Sequence, residues 1–117
     1  MKDYVTEKEL SQDILSSKYY NISWNGSAGN EVYEYRIDIE LDDGRIITNA
    51  VKIGSYVTGK YGQAPKIDTP GESIVEAINR LGVAETIKYI IVNRLCYRYW
   101  NNQQEKNWKE KTIYRME

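Results

Sequence analysis

The segment Asn93-Arg94-Leu95-Cys96-Tyr97-Arg98-Tyr99-Trp100 holds the side chains best equipped to grip a charged ligand. On a helix, Arg94 and Arg98 stand four apart and project from one face, with Tyr97 alongside. Guanidinium groups bind phosphate through paired N–H donors, and a tyrosine or tryptophan ring can stack on a base. The combination predicts a site for a nucleotide-like molecule. Lys60 and Tyr61 join it as candidates. Gly54-Ser55-Tyr56-Val57-Thr58-Gly59-Lys60 follows a phosphate-binding P-loop until Tyr61 replaces the Ser or Thr whose hydroxyl would hold Mg²⁺. Gln63-Ala64-Pro65 then follows where a helix should begin. The loop is read as a connector, or else as a loose anion cradle using Lys60 and glycine N–H groups.

Composition narrows the chemistry further. The chain of 117 residues has eleven Tyr and three Trp but no His, no Phe and a single Cys. Histidine is the side chain that most readily moves protons near neutral pH and ligates transition metals. Its absence argues for binding over catalysis, with no catalytic residue, metal or cofactor expected. Cys96, flanked by bulky residues, reads as a small buried hydrophobe. Glu34, Asp38 and Glu40 share one strand face, as metal-dependent nucleases require, and Asp43 and Lys52 are suitably spaced. Ala50 stands where the second acid is needed, so the acids read as a solvated sheet face with Arg36 between them.

Net charge is −1, unevenly placed. Residues 1–43 carry four Lys/Arg and ten Asp/Glu (−6), and residues 44–117 carry twelve and seven (+5). Such asymmetry can steer an anion to one end or pair subunits, unless folding interleaves the halves. No segment approaches the ~20 apolar residues of a membrane helix, and the N-terminus lacks a signal-like apolar run. These features lead to an expectation of a cytoplasmic chain with no membrane partner.

The elements that must position these residues read as follows. Thr6-x-x-Glu9 is a capping box, with Val5 and Leu10 as its staple, opening an N-terminal helix to about Ser17. Tyr19–Trp24 is a first strand. In Val32–Leu41, Tyr33, Tyr35, Ile37, Ile39 and Leu41 alternate with charged residues, and Asp42-Asp43-Gly44 turns the chain into a third strand, Arg45–Ile53. Gly54–Asp68 is a long loop. Thr69-Pro70-Gly71-Glu72 opens a second helix that Gly82 ends. A third helix covers about Ala84–Trp100, on the spacing of Ile87, Ile91 and Leu95. The expected fold is therefore α+β: an N-terminal helix, a three-stranded antiparallel meander and two C-terminal helices. It forms a single domain over 1–117, with 101–117 a tail available for docking a partner.

Residues 74–94 have the outline of a helix-turn-helix. With Gly82 at the turn, however, the apolar anchor falls on Lys88, so an ordinary helix hairpin is the better account. The order of elements resembles that of small phage anti-defence proteins. One anti-CRISPR family that mimics a DNA duplex shares a Tyr-rich entry strand, an Asp-Gly hairpin and a Glu-Ser-Ile-Val-Glu helix start. Here these are Lys18-Tyr19-Tyr20, Asp43-Gly44 and Glu72-Ser73-Ile74-Val75-Glu76. That family's acidic run is represented only by Gly82-Val83-Ala84-Glu85. In outline the chain is also similar to anti-Thoeris sponges, which trap cyclic ADP-ribose-type signals. These resemblances imply a homo-oligomeric, non-enzymatic inhibitor of host defence that sequesters a nucleotide-derived signal. The alternatives are an anti-CRISPR-type inhibitor of a nucleic-acid-binding effector protein and a DNA-binding regulator.

Overall fold

The alternation at Tyr33, Tyr35, Ile37, Ile39 and Leu41 produces the strand it implies, and that strand lies in the middle of a sheet. The computed structural model describes residues 4–6, 12–26, 29–57, 65–100 and 103–115; of 4–6, 23–26, 29–31, 97–100 and 103–110 it describes the backbone alone. The chain runs β1 (Tyr4–Thr6), α1 (Gln12–Ser16), β2 (Tyr20–Gly26), β3 (Gly29–Leu41), β4 (Ile46–Ile47), β5 (Gly54–Val57), β6 (Lys66–Thr69), α2 (Ile74–Leu81), β7 (Ile87–Trp100) and β8 (Gln103–Arg115). Seven strands stand in the order β1-β8-β7-β3-β2-β5-β6, and the short β4 pairs with β3. The β1–β8 and β2–β5 pairs are parallel and the others antiparallel, so the sheet is mixed.

This overturns the α+β arrangement of three helices and a three-stranded meander. The helix expected at 84–100 is β7, and the segment read as a tail is its hairpin partner β8. Ile87, Tyr89, Ile90, Ile91 and Val92 are β-branched or aromatic, types that lose χ1 freedom in a helix and pack well on a pleated surface. The i, i+4, i+8 spacing that suggested a helix is equally a strand spacing, because four is a multiple of two. Pairing with β3 on one side and β8 on the other then decides the matter.

Other expectations shift for local reasons. Thr6 does not cap a helix; it ends β1, opposite Arg115 of β8, and α1 spans only Gln12–Ser16. Of the staple and box, Glu9 and Leu10 lie outside the described residues. The third strand shrinks to Ile46–Ile47 because the chain turns away at Asn49, whose φ is 51°. That turn is held from β3: Asn49 N donates to the Asp38 carboxylate at 3.0 Å, and Ala50 N donates to Ile37 O at 2.7 Å. Asp38, expected to be solvated, is buried.

The start of α2 moves by one capping box. Ser73 accepts from Glu76 N, and Glu76 accepts from Ser73 N, while Thr69 belongs to β6. Gly82, at φ 67°, closes the helix as expected, its N–H donating to Ile78 O at 3.0 Å. Glu72, released from capping, is a clasp. It accepts from both Arg80 Nε and Nη2 at 2.8 Å and from Lys52 N at 3.0 Å, and Arg80 also donates to Ala50 O at 2.7 Å. This ties α2 to the turn that follows β4. Gly54 and Gly71 let the β5 entry and the approach to α2 cross at backbone contact, since a Cβ on Gly54 would overlap Gly71 N and Thr69 O.

One face of β3 and β7 is thereby buried under α2. Ile37, Ile39, Leu41, Ile87 and Ile90 meet Ile74, Ala77 and Ile78, with Ala50, Val51 and Val83 at the margins. Ile14 and Leu15 of α1 pack against the same cluster. Each fully buried Ile contributes about 2–3 kcal/mol, so this cluster outweighs any single cap, worth ~1 kcal/mol. Among the described residues, no helix is long and apolar enough to cross a membrane.

The Glu72 clasp has a pH signature. The Arg80 hydrogen bonds, reinforced by Lys52 N and opposed by burial, pull its carboxyl down from 4.5 to about 2. The folded state then binds this proton less readily than the unfolded one. Its stabilisation is complete above pH 4.5 and is lost as pH falls towards 2. Glu72→Gln is expected to lower stability at neutral pH and to flatten the loss across that acid window, as read by denaturant unfolding at a series of pH values.

Candidate functional site

Strand geometry separates the residues that a helix would have gathered. Arg94 sits on β7 opposite Tyr35 of β3 and Glu110 of β8, while Arg98 sits opposite Glu31 and Glu105. Four residues along a strand are ~13 Å, about twice the separation on a helix, so the two-pronged grip on one phosphate is lost. Tyr97 takes the opposite strand parity from both arginines. The side chains of Tyr97 and Arg98 fall outside the description, as do Lys60 and Tyr61 entirely. Arg94 packs on the helix-covered side, its guanidinium 5.1 Å from the centre of the Tyr33 ring. Nearby, Tyr19 and Tyr35 meet edge to face at 5.2 Å. Burial, and then the neighbouring Tyr114 and Tyr35 phenols, push the Tyr19 hydroxyl up to about 12. These tyrosines are packing residues first.

The chemistry lies on the other face. Antiparallel register sets side chains of like parity in rows across β3, β7 and β8. One row is Arg36, Asn93, Lys111; the row beside it begins Glu34, Leu95. Together with Tyr35 and Arg94, which by alternation supply floor, these residues line a concavity of about 580 Å³. That volume is in the range of small-molecule sites. Both described helices pack on the opposite face of the sheet, so it opens outward.

Each wall of the groove has distinct chemistry. Arg36 Nε lies 3.5 Å from Asp38 Oδ2, and its side chain is 60% exposed, so it can turn from that carboxylate to an incoming anion. Asp38 is meanwhile held by Asn49 N. Asn93 Nδ2 donates to Arg36 O at 3.1 Å, fixing the amide between the two cations. Arg36 and Lys111 are two strand spacings apart, ~10 Å, and their long side chains can converge above Asn93. Leu95 offers an apolar floor and Glu34 an exposed carboxylate. A ligand with a phosphate, a flat apolar ring and hydroxyl or amine donors would satisfy all three. Among the described residues no three His, Cys, Asp or Glu side chains are grouped so as to hold a metal ion.

Of the five candidate residues from sequence, Arg94 lines this groove, and the side chains of the other four lie outside the described residues. Arg36, Asn93 and Lys111 went unnoticed as a site. Arg36 was already on the wet face of a correctly read strand. Asn93 interrupts an apolar run, a signal that becomes visible only once that run is a strand. Lys111 is brought alongside by β8, which read as a polar tail.

Arg94 is therefore expected to matter for stability. Arg94→Ala removes a cation–π contact and the packing of its aliphatic stem, at a cost of roughly 1–2 kcal/mol. Comparison of Arg94→Ala with Arg36→Ala by denaturant unfolding checks this, with Arg36→Ala expected within about 0.5 kcal/mol of the parent.

Comparisons with known protein families, with characterised proteins and with solved structures found no match to this chain.

Proposed function

We propose that this chain is a non-enzymatic binding protein that captures a phosphorylated, nucleotide-like small molecule on the open face of its sheet. The observation that carries the reading is the row Arg36–Asn93–Lys111, which sets two cations and an amide across three adjacent strands at the edge of an outward-facing groove. Charge-assisted hydrogen bonds from such a row favour phosphate, while Leu95 and Glu34 take the ring and its polar substituents. In biological terms the reading is sequestration: a phage-type protein in the host cytoplasm that withdraws a nucleotide-derived defence signal.

The alternatives draw less support. An inhibitor that presents acids to a nucleic-acid-binding effector would need a continuous negative surface. Here Asp38 is buried and Arg36 interrupts Glu34 and Glu40. A DNA-binding regulator of the helix-turn-helix kind would need a recognition helix where β7 stands.

Calorimetric titration with mono-, di- and cyclic nucleotides tests the reading. Arg36→Ala and Lys111→Ala should each weaken binding by about tenfold, since one charge-assisted hydrogen bond is worth ~1.5–3 kcal/mol at most. Failure of every nucleotide to bind, or an unchanged affinity in the double variant, would overturn it.

A further inference from the structure

The same open face carries a second feature, towards the end of the sheet where β4 joins. Here the row across β4, β3, β7 and β8 is Ile46, Glu40, Tyr89, Arg115, and the next is Asp38, Ile91, Ile113. A sheet face left to water alternates apolar-in with polar-out. β7 does not: Ile90 and Val92 face the core cluster, while Tyr89 and Ile91 give the open side an apolar strip of its own. Ile113 lies beside Ile91, and Ile46 is 52% exposed.

Charge brackets this strip asymmetrically. On its β3 side stands Glu40 and on its β8 side Arg115, one charge of each sign at the same level of the sheet. Glu40 and Arg115 stand ~10 Å apart on opposite sides of Tyr89.

We propose that two copies of this chain pack face to face through this strip, with Glu40 of each set against Arg115 of the other. The choice of occupant follows from symmetry. A two-fold axis parallel to β7 and lying between two such faces exchanges left and right, so Glu40 of one copy meets Arg115 of its mate. The contact is isologous and makes this pairing twice. A two-fold across the strands would instead set acid on acid and base on base, and like charges at an interface cost several kcal/mol. Aligned sheets cross at about 30°. With the crossing at Tyr89, Arg36, four residues along the strand, is carried ~7 Å sideways from the Lys111 of the other copy. The contact itself is made by Ile46, Glu40, Tyr89, Ile91, Ile113 and Arg115; the groove lies on the same face beyond them and opens into the space between the two copies, so oligomeric state and nucleotide binding are read by separate measurements.

Sedimentation equilibrium at low ionic strength tests it. The parent chain is expected at twice its chain mass. Glu40→Arg and Arg115→Glu should each raise the dimer dissociation constant by about tenfold or more, and the double exchange should restore the dimer. Ile46→Lys, at an exposed position that cannot disturb the core, should also weaken it. A parent chain that sediments as a monomer would overturn the proposal. So would single reversals that leave the dimer intact, or a double exchange no better than its components. Circular dichroism confirms that each variant keeps its sheet.

Discussion

The long antiparallel pairing of β3 with β7, from Asn30 opposite Tyr99 to Leu41 opposite Ile87, is the constraint on which everything else rests. It brings together segments more than forty residues apart in sequence, and its period of two assigns every side chain to one of two faces. On one face it assembles Ile37, Ile39, Leu41 and Ile90 into a surface that α2 can cover. On the other it lines up Arg36 with Asn93 and Glu40 with Tyr89. A register slip of one residue would bury the charged set and expose the isoleucines, so core and groove are specified by a single choice. The irregularity between Glu40 and Leu41 lies where the chain enters β7 from α2 and leaves the rows further along undisturbed.

The helix side is secured by polar contacts at its edges as well as by apolar area. Glu72 and Arg80 sit at the two ends of α2 and Asp38 within β3, and each pairs with a backbone group of the segment Asn49–Lys52: Lys52 N, Ala50 O and Asn49 N. Arg80 reaches from the last turn of α2 to Ala50 O, and Asp38 reaches from β3 to Asn49 N, so both sides of the same turn are held. The acid in the middle of β3 is thus structural. This explains why the apparent acidic row of Glu34, Asp38 and Glu40 is not a continuous acidic surface: its central member is covered and bonded to a backbone amide, and its neighbour Arg36 is drawn towards it.

What the sequence revealed and what it concealed follow from how unique each signal is. Alternation over Val32–Leu41 admits one reading, and the strand is there. Gly82 after an apolar stripe also admits one reading, and it ends α2 with a positive φ. The spacing of Ile87, Ile91 and Leu95 admits two, because positions four apart share a face in a helix and in a strand alike. Length favoured the helix, while the run of β-branched residues favoured the strand. Only the partner strands could decide, and one of them, β8, is so polar that it carries no apolar alternation of its own. The capping box read at Thr69–Glu72 gives way to one at Ser73–Glu76, because Lys66–Thr69 pairs with β5. Parallel pairing of Tyr4–Thr6 with β8, a contact across the whole chain, likewise overrode the local cap at Thr6.

The site was hidden for the same reason. The row Arg36, Asn93 and Lys111 takes one residue from each of three strands, so no motif in the linear sequence contains it. Arginines four apart pointed to phosphate chemistry, but strand geometry spreads them over ~13 Å and turns Arg94 towards Tyr33. Cation convergence is instead achieved sideways, across the ~10 Å between β3 and β8, where two flexible side chains and a fixed amide face the same space. Lateral convergence of this kind demands little of the local sequence and much of the register. It therefore ties the ability to hold an anion to the same β3–β7–β8 pairing that builds the core. A substitution that shifts that register removes binding even when no groove residue is touched.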